Sequence, residues 1–192
     1  MDIILASASP RRQQLLRELG LRFRVVVPVG ITEQVDGLPP ATLAMENARR
    51  KAAAVAANHP EALVIGADTI VVQGTRIFGK PGSIEEADAM LCALAGHRHD
   101  VITGVCLIHR PFDLELLFHE VTAVWMRPLT EPQRREYLAL INPLDKAGAY
   151  AIQEHGDRII ERIEGSYSNV VGLPIERLKA SLEKLGIPTI GR

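Results

Sequence analysis

An aspartate stands alone in an apolar run, Leu63-Val64-Ile65-Gly66-Ala67-Asp68-Thr69-Ile70-Val71-Val72. An ionised carboxylate in such surroundings is costly unless it is paired, hydrogen-bonded or bound to a metal. Asp68 is therefore the strongest single candidate for a functional residue. The bland alternative is an Asp at a strand end that caps a turn, and the apolar residues on both sides count against it. The second candidate is Ser7-Ala8-Ser9-Pro10-Arg11-Arg12, which follows a short apolar strand. Ser9 suits a helix N-cap, and Pro10 suits the first helical position, where its missing N–H is no loss. Free N–H groups and the positive end of the helix dipole favour an anion there. Arg11 and Arg12 oppose that dipole, so they make better sense as forked ligands of phosphate than as helix stabilisers. A solvated arginine pair on a surface helix is the competing reading.

Other stretches weigh less. Gly74 to Lys80 has the spacing of a phosphate-binding loop, but Pro81 follows where that motif needs a hydroxyl for the metal. The motif is rejected, and Lys80 is kept as a point charge for phosphate or as a surface lysine. Asp145-Lys146-Ala147-Gly148-Ala149-Tyr150-Ala151-Ile152-Gln153 joins charge, small residues and a terminal amide able to read a base. His97-Arg98-His99-Asp100 looks like a metal cluster, but consecutive strand side chains point opposite ways and no further spaced ligands follow, so a solvated turn is expected. Cys92 and Cys106 fall in apolar helix and strand patterns and read as core residues. No Gly-x-Ser-x-Gly elbow occurs.

The elements that must position these residues alternate between strand and helix patterns, as in a layered α/β fold. Strands are expected at Ile3 to Ala6, Phe23 to Val27, Leu63 to Val72, Ile77-Phe78, Val101 to Ile108, Leu114 to Met126 and Arg158 to Ile163. Helices are expected over Gln13 to Leu19, Ala41 to Ala57, Ser83 to Ala95, Thr130 to Ile141 and Pro174 to Leu185. Ser83 with Glu86 and Thr130 with Gln133 are capping-box patterns. The mixture of hairpin and crossover signals predicts a mixed sheet.

The 192 residues carry 22 Lys and Arg against 23 Asp and Glu, a formal net charge of -1. That balance argues against a general nucleic-acid or membrane-surface binder, although Arg11-Arg12 and Arg49-Arg50-Lys51 are local basic clusters. Two cysteines provide neither a metal-finger spacing nor a disulfide framework. The opening residues lack a signal-peptide pattern and no run reaches a membrane span, which sets a cytoplasmic protein as the expectation.

Five motifs occur in order: Ser7-Ala8-Ser9-Pro10-Arg11-Arg12, Gly66-Ala67-Asp68-Thr69, Gly79-Lys80-Pro81, Asp145-Lys146-Ala147-Gly148-Ala149-Tyr150 and Val171-Gly172-Leu173-Pro174. With them the sequence closely resembles the Maf family of nucleoside triphosphate pyrophosphatases, from Ile3 to about Leu185. The resemblance implies one Maf-like domain over residues 1–192. Its fold would be that of the inosine triphosphate pyrophosphatases, an elongated mixed sheet flanked by helices, with two lobes and a cleft between them. It implies hydrolysis of a nucleoside triphosphate to the monophosphate and pyrophosphate with a divalent cation, Mg²⁺ or Mn²⁺. By that resemblance Asp68 matches the proton acceptor, and Arg11, Thr69 and Gln153 match positions tied to substrate choice. Glu33 and Lys80 match polar positions around the family's cleft; Ser7, Ser9 and Arg12 of the first motif complete the expected substrate-binding set, and Asp68 and Glu33 are the expected metal ligands. Thr32 stands where some members carry a second acidic residue beside Glu33. Ala151-Ile152-Gln153 looks like the subgroup acting on dTTP and UTP, and less like the one acting on 7-methyl-GTP. The resemblance also implies a homodimer, and it allows a rival reading, a regulator of cell division that binds nucleotide without turnover.

Overall fold

The apolar run around Asp68 forms a single long strand, as a segment buried on both faces should. The computed structural model describes residues 1–32 and 37–189. Among these, the strands are β1 Ile3–Ala6, β2 Arg24–Val25, β3 Leu63–Gln73, β4 Arg76–Phe78, β5 Arg98–His109, β6 Leu114–Met126 and β7 Ile160–Glu164. They form one mixed sheet in the order β2-β1-β3-β5-β6-β7, with β4 paired to β3 off that path. β1 runs parallel to β2 and β3, whereas β4 on β3 and β7 on β6 are antiparallel. The helices are α1 Pro10–Glu18, α2 Pro40–Ala56, α3 Ile84–Leu94, α4 Glu131–Leu140, α5 Gly156–Ile159, α6 Tyr167–Val171 and α7 Ile175–Lys184. The two parallel connections, β1 to β2 and β2 to β3, contain α1 and α2, as parallel pairing requires a crossover. The expected α/β architecture, a mixed sheet flanked by helices, is therefore what the chain adopts. No helix among the described residues is long and apolar enough to cross a membrane.

The chain divides into two compact units, one of Met1–Asp68, Thr103–Glu120 and Gly172–Arg192, the other of Thr69–Ile102 and Val121–Val171. In the first, α2 lies against the sheet through a stripe of fully buried small residues, Ala44, Ala48 and Ala52. Their partners are glycines. A Cβ added to Gly66 would run into the Ala48 carbonyl oxygen and Ala52, and one added to Gly104 into the backbone of Ala44. Glycine normally weakens a strand interior, so two such positions mark where helix backbone and strand backbone must touch. The core beneath this contact includes Ile4, Val55, Val64, Cys106 and Ile108.

In the second unit, α3 and α4 pack on Phe78, Val101 and Val124 through Leu91, Leu94, Tyr137 and Leu138. α4 begins with the expected capping box, Thr130 N donating to Gln133 Oε1 at 2.8 Å, whereas at α3 half of it forms: Ser83 Oγ accepts from Glu86 N, but the Glu86 carboxylate accepts from Gly82 N at 2.6 Å. Arg134 of α4 ties back to Asp88 of α3 at 2.8 Å.

Four expectations change. β2 has only two paired residues, because it is an edge strand with one neighbour. The segment from Arg158 begins as the last turn of α5, and β7 starts at Ile160. Cys92 is exposed, since it lies on the outer face of α3, while Cys106 is a core residue. Of the His97–Asp100 stretch, exposed His97 lies in the bend as expected, but Arg98–Asp100 opens β5 and His99 is 1% exposed, with Nε2 2.7 Å from Tyr150 Oη.

Burial, reinforced by Arg98, pushes His99 down to about 4 from its ordinary 6.5. The imidazole is thus neutral in the folded protein and charges more readily in the unfolded chain. Its contribution to stability is complete above pH 6.5 and is lost as pH falls toward 4. The shift corresponds to about 3 kcal/mol at its limit. Thermal melting of the wild type should therefore drop steeply between pH 6.5 and 4. In His99→Gln, which keeps a polar partner for Tyr150, the drop over that window should be shallower; equal slopes would remove His99 from the account.

Candidate active site

The backbone contact of α2 with Gly66 brings two α2 side chains onto Asp68. Asn47 and Lys51 are four residues apart, one above the other on the same helix face. Lys51 Nζ lies 2.6 Å from Asp68 Oδ1, and Asn47 Nδ2 donates to Oδ2 at 3.4 Å. The ion pair is largely removed from solvent, with 13% of the Lys51 side chain and 8% of the Asp68 side chain exposed. A buried carboxylate is tolerated on these terms, with an opposite charge on one oxygen and an amide on the other. Asp68 is thus buried, ionic and fixed in orientation. Sequence reasoning missed Asn47 and Lys51 as site residues and grouped Lys51 with Arg49 and Arg50 as a basic cluster. The cluster is divided in the structure: Arg49 and Arg50 both bond Glu46, whose carboxyl they hold below its ordinary range, Arg49 first. The Asn-x-x-x-Lys spacing beside an Ala stripe was the available signal.

The segment after β1 is built around Arg12. Ser9 caps α1 by accepting from Arg12 N, and Ser9 N donates to the buried Ser7 Oγ at 3.2 Å. The Arg12 guanidinium then crosses the chain: Nε donates to Gly172 O at 2.8 Å, and Nη1 to Ala67 O at 2.9 Å and Ser7 Oγ at 3.3 Å. Arg12 was expected to be a phosphate ligand beside Arg11, but it spends Nε and Nη1 on protein oxygens, one of them on the residue before Asp68. It acts as a brace. Arg11, in the first turn of α1, is half-buried.

The remaining expected residues lie in the second unit. Thr69 is half-buried on β3, and Lys80 is exposed just beyond β4. The Lys80 segment is anchored by Gly148 N, which donates to Gly79 O at 3.0 Å. Gly148 has φ +69°, and a Cβ there would crowd Val71, so glycine is required on both counts. After it, Tyr150 is buried against His99, and Ala151 is held twice by Tyr137 Oη, which accepts from Ala151 N at 3.1 Å and donates to Ala151 O at 3.3 Å. Burial pushes Tyr137 up to about 12, so its hydroxyl keeps the proton this pairing uses. Gln153 follows, exposed. Glu33, the second expected acidic ligand, lies outside the described residues.

Among the described residues no three His, Cys, Asp or Glu side chains converge as a metal cage. A single carboxylate such as Asp68 nevertheless suits Mg²⁺, which is commonly held by one or two carboxylates with substrate phosphates and water.

Comparison with known proteins bears on this arrangement. The model of the family described as Maf-like protein matches residues 2–185. The chain is 46% identical to a Carboxydothermus hydrogenoformans protein named dTTP/UTP pyrophosphatase, over 97% of this chain and 100% of that one. A Pelotomaculum thermopropionicum protein of the same name is 47% identical, over 96% of this chain and 97% of its own. Among solved structures, the Staphylococcus aureus Ham1 protein is alike in fold, with a TM-score of 0.55 at 17% identity over 96% of this chain and 100% of that chain. With a family match across nearly its whole length and relatives approaching half identity, the chain belongs to the Maf family.

Proposed function

We propose that the protein hydrolyses dTTP and UTP, and modified pyrimidine relatives of them, to the nucleoside monophosphate and pyrophosphate in the cytoplasm. The observation that carries this reading is Asp68, a buried carboxylate fixed by Lys51 and Asn47 in an otherwise apolar strand. The names of the relatives at 46% and 47% identity support the substrate pair. In the reaction, a water oxygen bonds to the α-phosphorus, the bond to the bridging oxygen breaks, and pyrophosphate leaves. Asp68 takes the proton of that water at Oδ2, while Lys51 stays on Oδ1 and holds the carboxylate in place. Arg11 and Lys80 bind phosphate oxygens. Ser7, Ser9 and Arg12 hold the α1 entry in shape, and Thr69 and Gln153 select the base, the amide offering both a donor and an acceptor. By family resemblance Asp68 and Glu33 would be the residues to hold a divalent cation, which would neutralise triphosphate charge there.

A panel of dTTP, UTP, CTP, dGTP and 7-methyl-GTP with Mg²⁺, scored for pyrophosphate and orthophosphate, tests the reading. Pyrophosphate should be the first product, and dTTP and UTP should exceed the others roughly tenfold, the worth of one or two base-reading hydrogen bonds. Orthophosphate as the first product would refute it. So would stabilisation against heat by dTTP with no product, which is the behaviour of a nucleotide-binding regulator.

A further inference from the structure

Lys146 is a lysine with only 4% of its surface exposed, a rare placement for this residue. Its Nζ reaches three oxygens: the Asn142 carbonyl at 2.8 Å, Asp145 Oδ1 at 2.8 Å and Glu154 Oε1 at 3.2 Å. These come from the exit of α4, from the turn that follows, and from the residue next to Gln153. The ammonium thus closes the segment 142–154 upon itself. On the N-terminal side of Gln153, the double hydrogen bond of Ala151 to Tyr137 Oη fixes the backbone. On its C-terminal side, Lys146 holds Glu154. Between the two pins lie Ile152, packed on the core, and Gln153, which is exposed.

We propose that Lys146 is the positioning residue for Gln153, and that discrimination of the base depends on the Lys146–Glu154 ion pair. The proposal rests on the reading of Gln153 as a base-selecting residue. A flexible amide on a loop pinned at one end samples many orientations, and a hydrogen bond to a base must first offset that freedom. With both ends pinned the amide is presented in one place, and the gain is realised as tighter binding of the correct base. A lysine does this better than an apolar residue would, because its single cation bridges three separate oxygens.

The test compares Gln153→Ala, Glu154→Ala, the double variant and Lys146→Met, using kcat and KM for dTTP and dGTP together with thermal melting. Glu154→Ala keeps the Asn142 carbonyl and Asp145 on Lys146, so it reads the pin separately from the burial of the lysine. It should lower the dTTP/dGTP ratio of kcat/KM about five- to tenfold. The loss should lie in KM for dTTP, with kcat changed less than threefold. Gln153→Ala should lose a similar factor, and the double variant should lose no more than either single one, because both act through one amide. Glu154→Gln should recover part of the ratio. If Gln153→Ala lowers the ratio while Glu154→Ala and a folded Lys146→Met leave it at the wild-type value, the positioning role is overturned and the base reading stands. If Gln153→Ala itself leaves the ratio unchanged, the base reading fails and takes the proposal with it.

Discussion

Asp68→Asn should reduce pyrophosphate release from dTTP by roughly 10² to 10⁴-fold, the usual loss when a general base is removed, or about 3 to 5 kcal/mol of barrier. The structure adds a second effect. Lys51 has 13% of its side chain exposed and lies 2.6 Å from Asp68 Oδ1, so the neutral amide takes a charged partner away from a largely buried ammonium. Stability should fall by about 1 to 3 kcal/mol, and the melting temperature by roughly 2 to 4 °C for each of these. The two losses can be separated. Lys51→Met added to Asp68→Asn removes the ammonium together with its carboxylate, so the double variant should regain part of the melting temperature and remain inactive. A variant that melts lower but turns over at the wild-type rate would mean that Asp68 is a structural partner of Lys51 and no base.

Arg12→Lys should destabilise the protein almost as much as Arg12→Ala, by about 3 kcal/mol, or roughly 6 to 12 °C. One guanidinium serves Gly172 O, Ala67 O and Ser7 Oγ through two nitrogens held in a fixed fork. A lysine ammonium reaches one end of that set and leaves the other carbonyl without its partner. Each such loss costs about 1 to 3 kcal/mol where the group is shielded. Because Ala67 precedes Asp68, kcat should fall with stability. A phosphate ligand behaves differently: its removal raises KM and leaves melting nearly unchanged. Calorimetry with steady-state kinetics on both variants distinguishes the two, and an unchanged melting temperature would rule out the brace.

Features written into neighbouring residues were legible from the sequence, and features made by distant ones were not. The β3 strand announces itself because ten consecutive residues are almost all apolar or β-branched, a pattern that water-facing structure does not allow. The starts of α1, α3 and α4 were equally plain, since Ser9, Ser83 and Thr130 cap within three residues of themselves. Asp68 stood out as a charge without an excuse. What supplies the excuse, Lys51 and Asn47, lies 17 and 21 residues earlier in a different element, and reaches Asp68 only through packing against Gly66. The burial of His99 is of the same kind, because its partner Tyr150 is 51 residues away. Five-residue α6 escaped notice for another reason: it is too short to show a periodicity and is fastened by Ser166 Oγ, which accepts from Asn169 N.

The direct seating of α2 on Gly66 and Gly104 has a consequence for how this sequence can change. A helix cushioned by large side chains can absorb substitution by small slides and tilts. One that rests backbone on backbone has no such slack, so its rotation and its height along β3 are set by atoms that no mutation of a side chain can trim. Bulk gained anywhere on the Ala44, Ala48 and Ala52 face must lift the whole helix, and Lys51 and Asn47 would be carried away from Asp68 with it. Drift in this lineage should therefore spare that face even though none of its three alanines touches the chemistry.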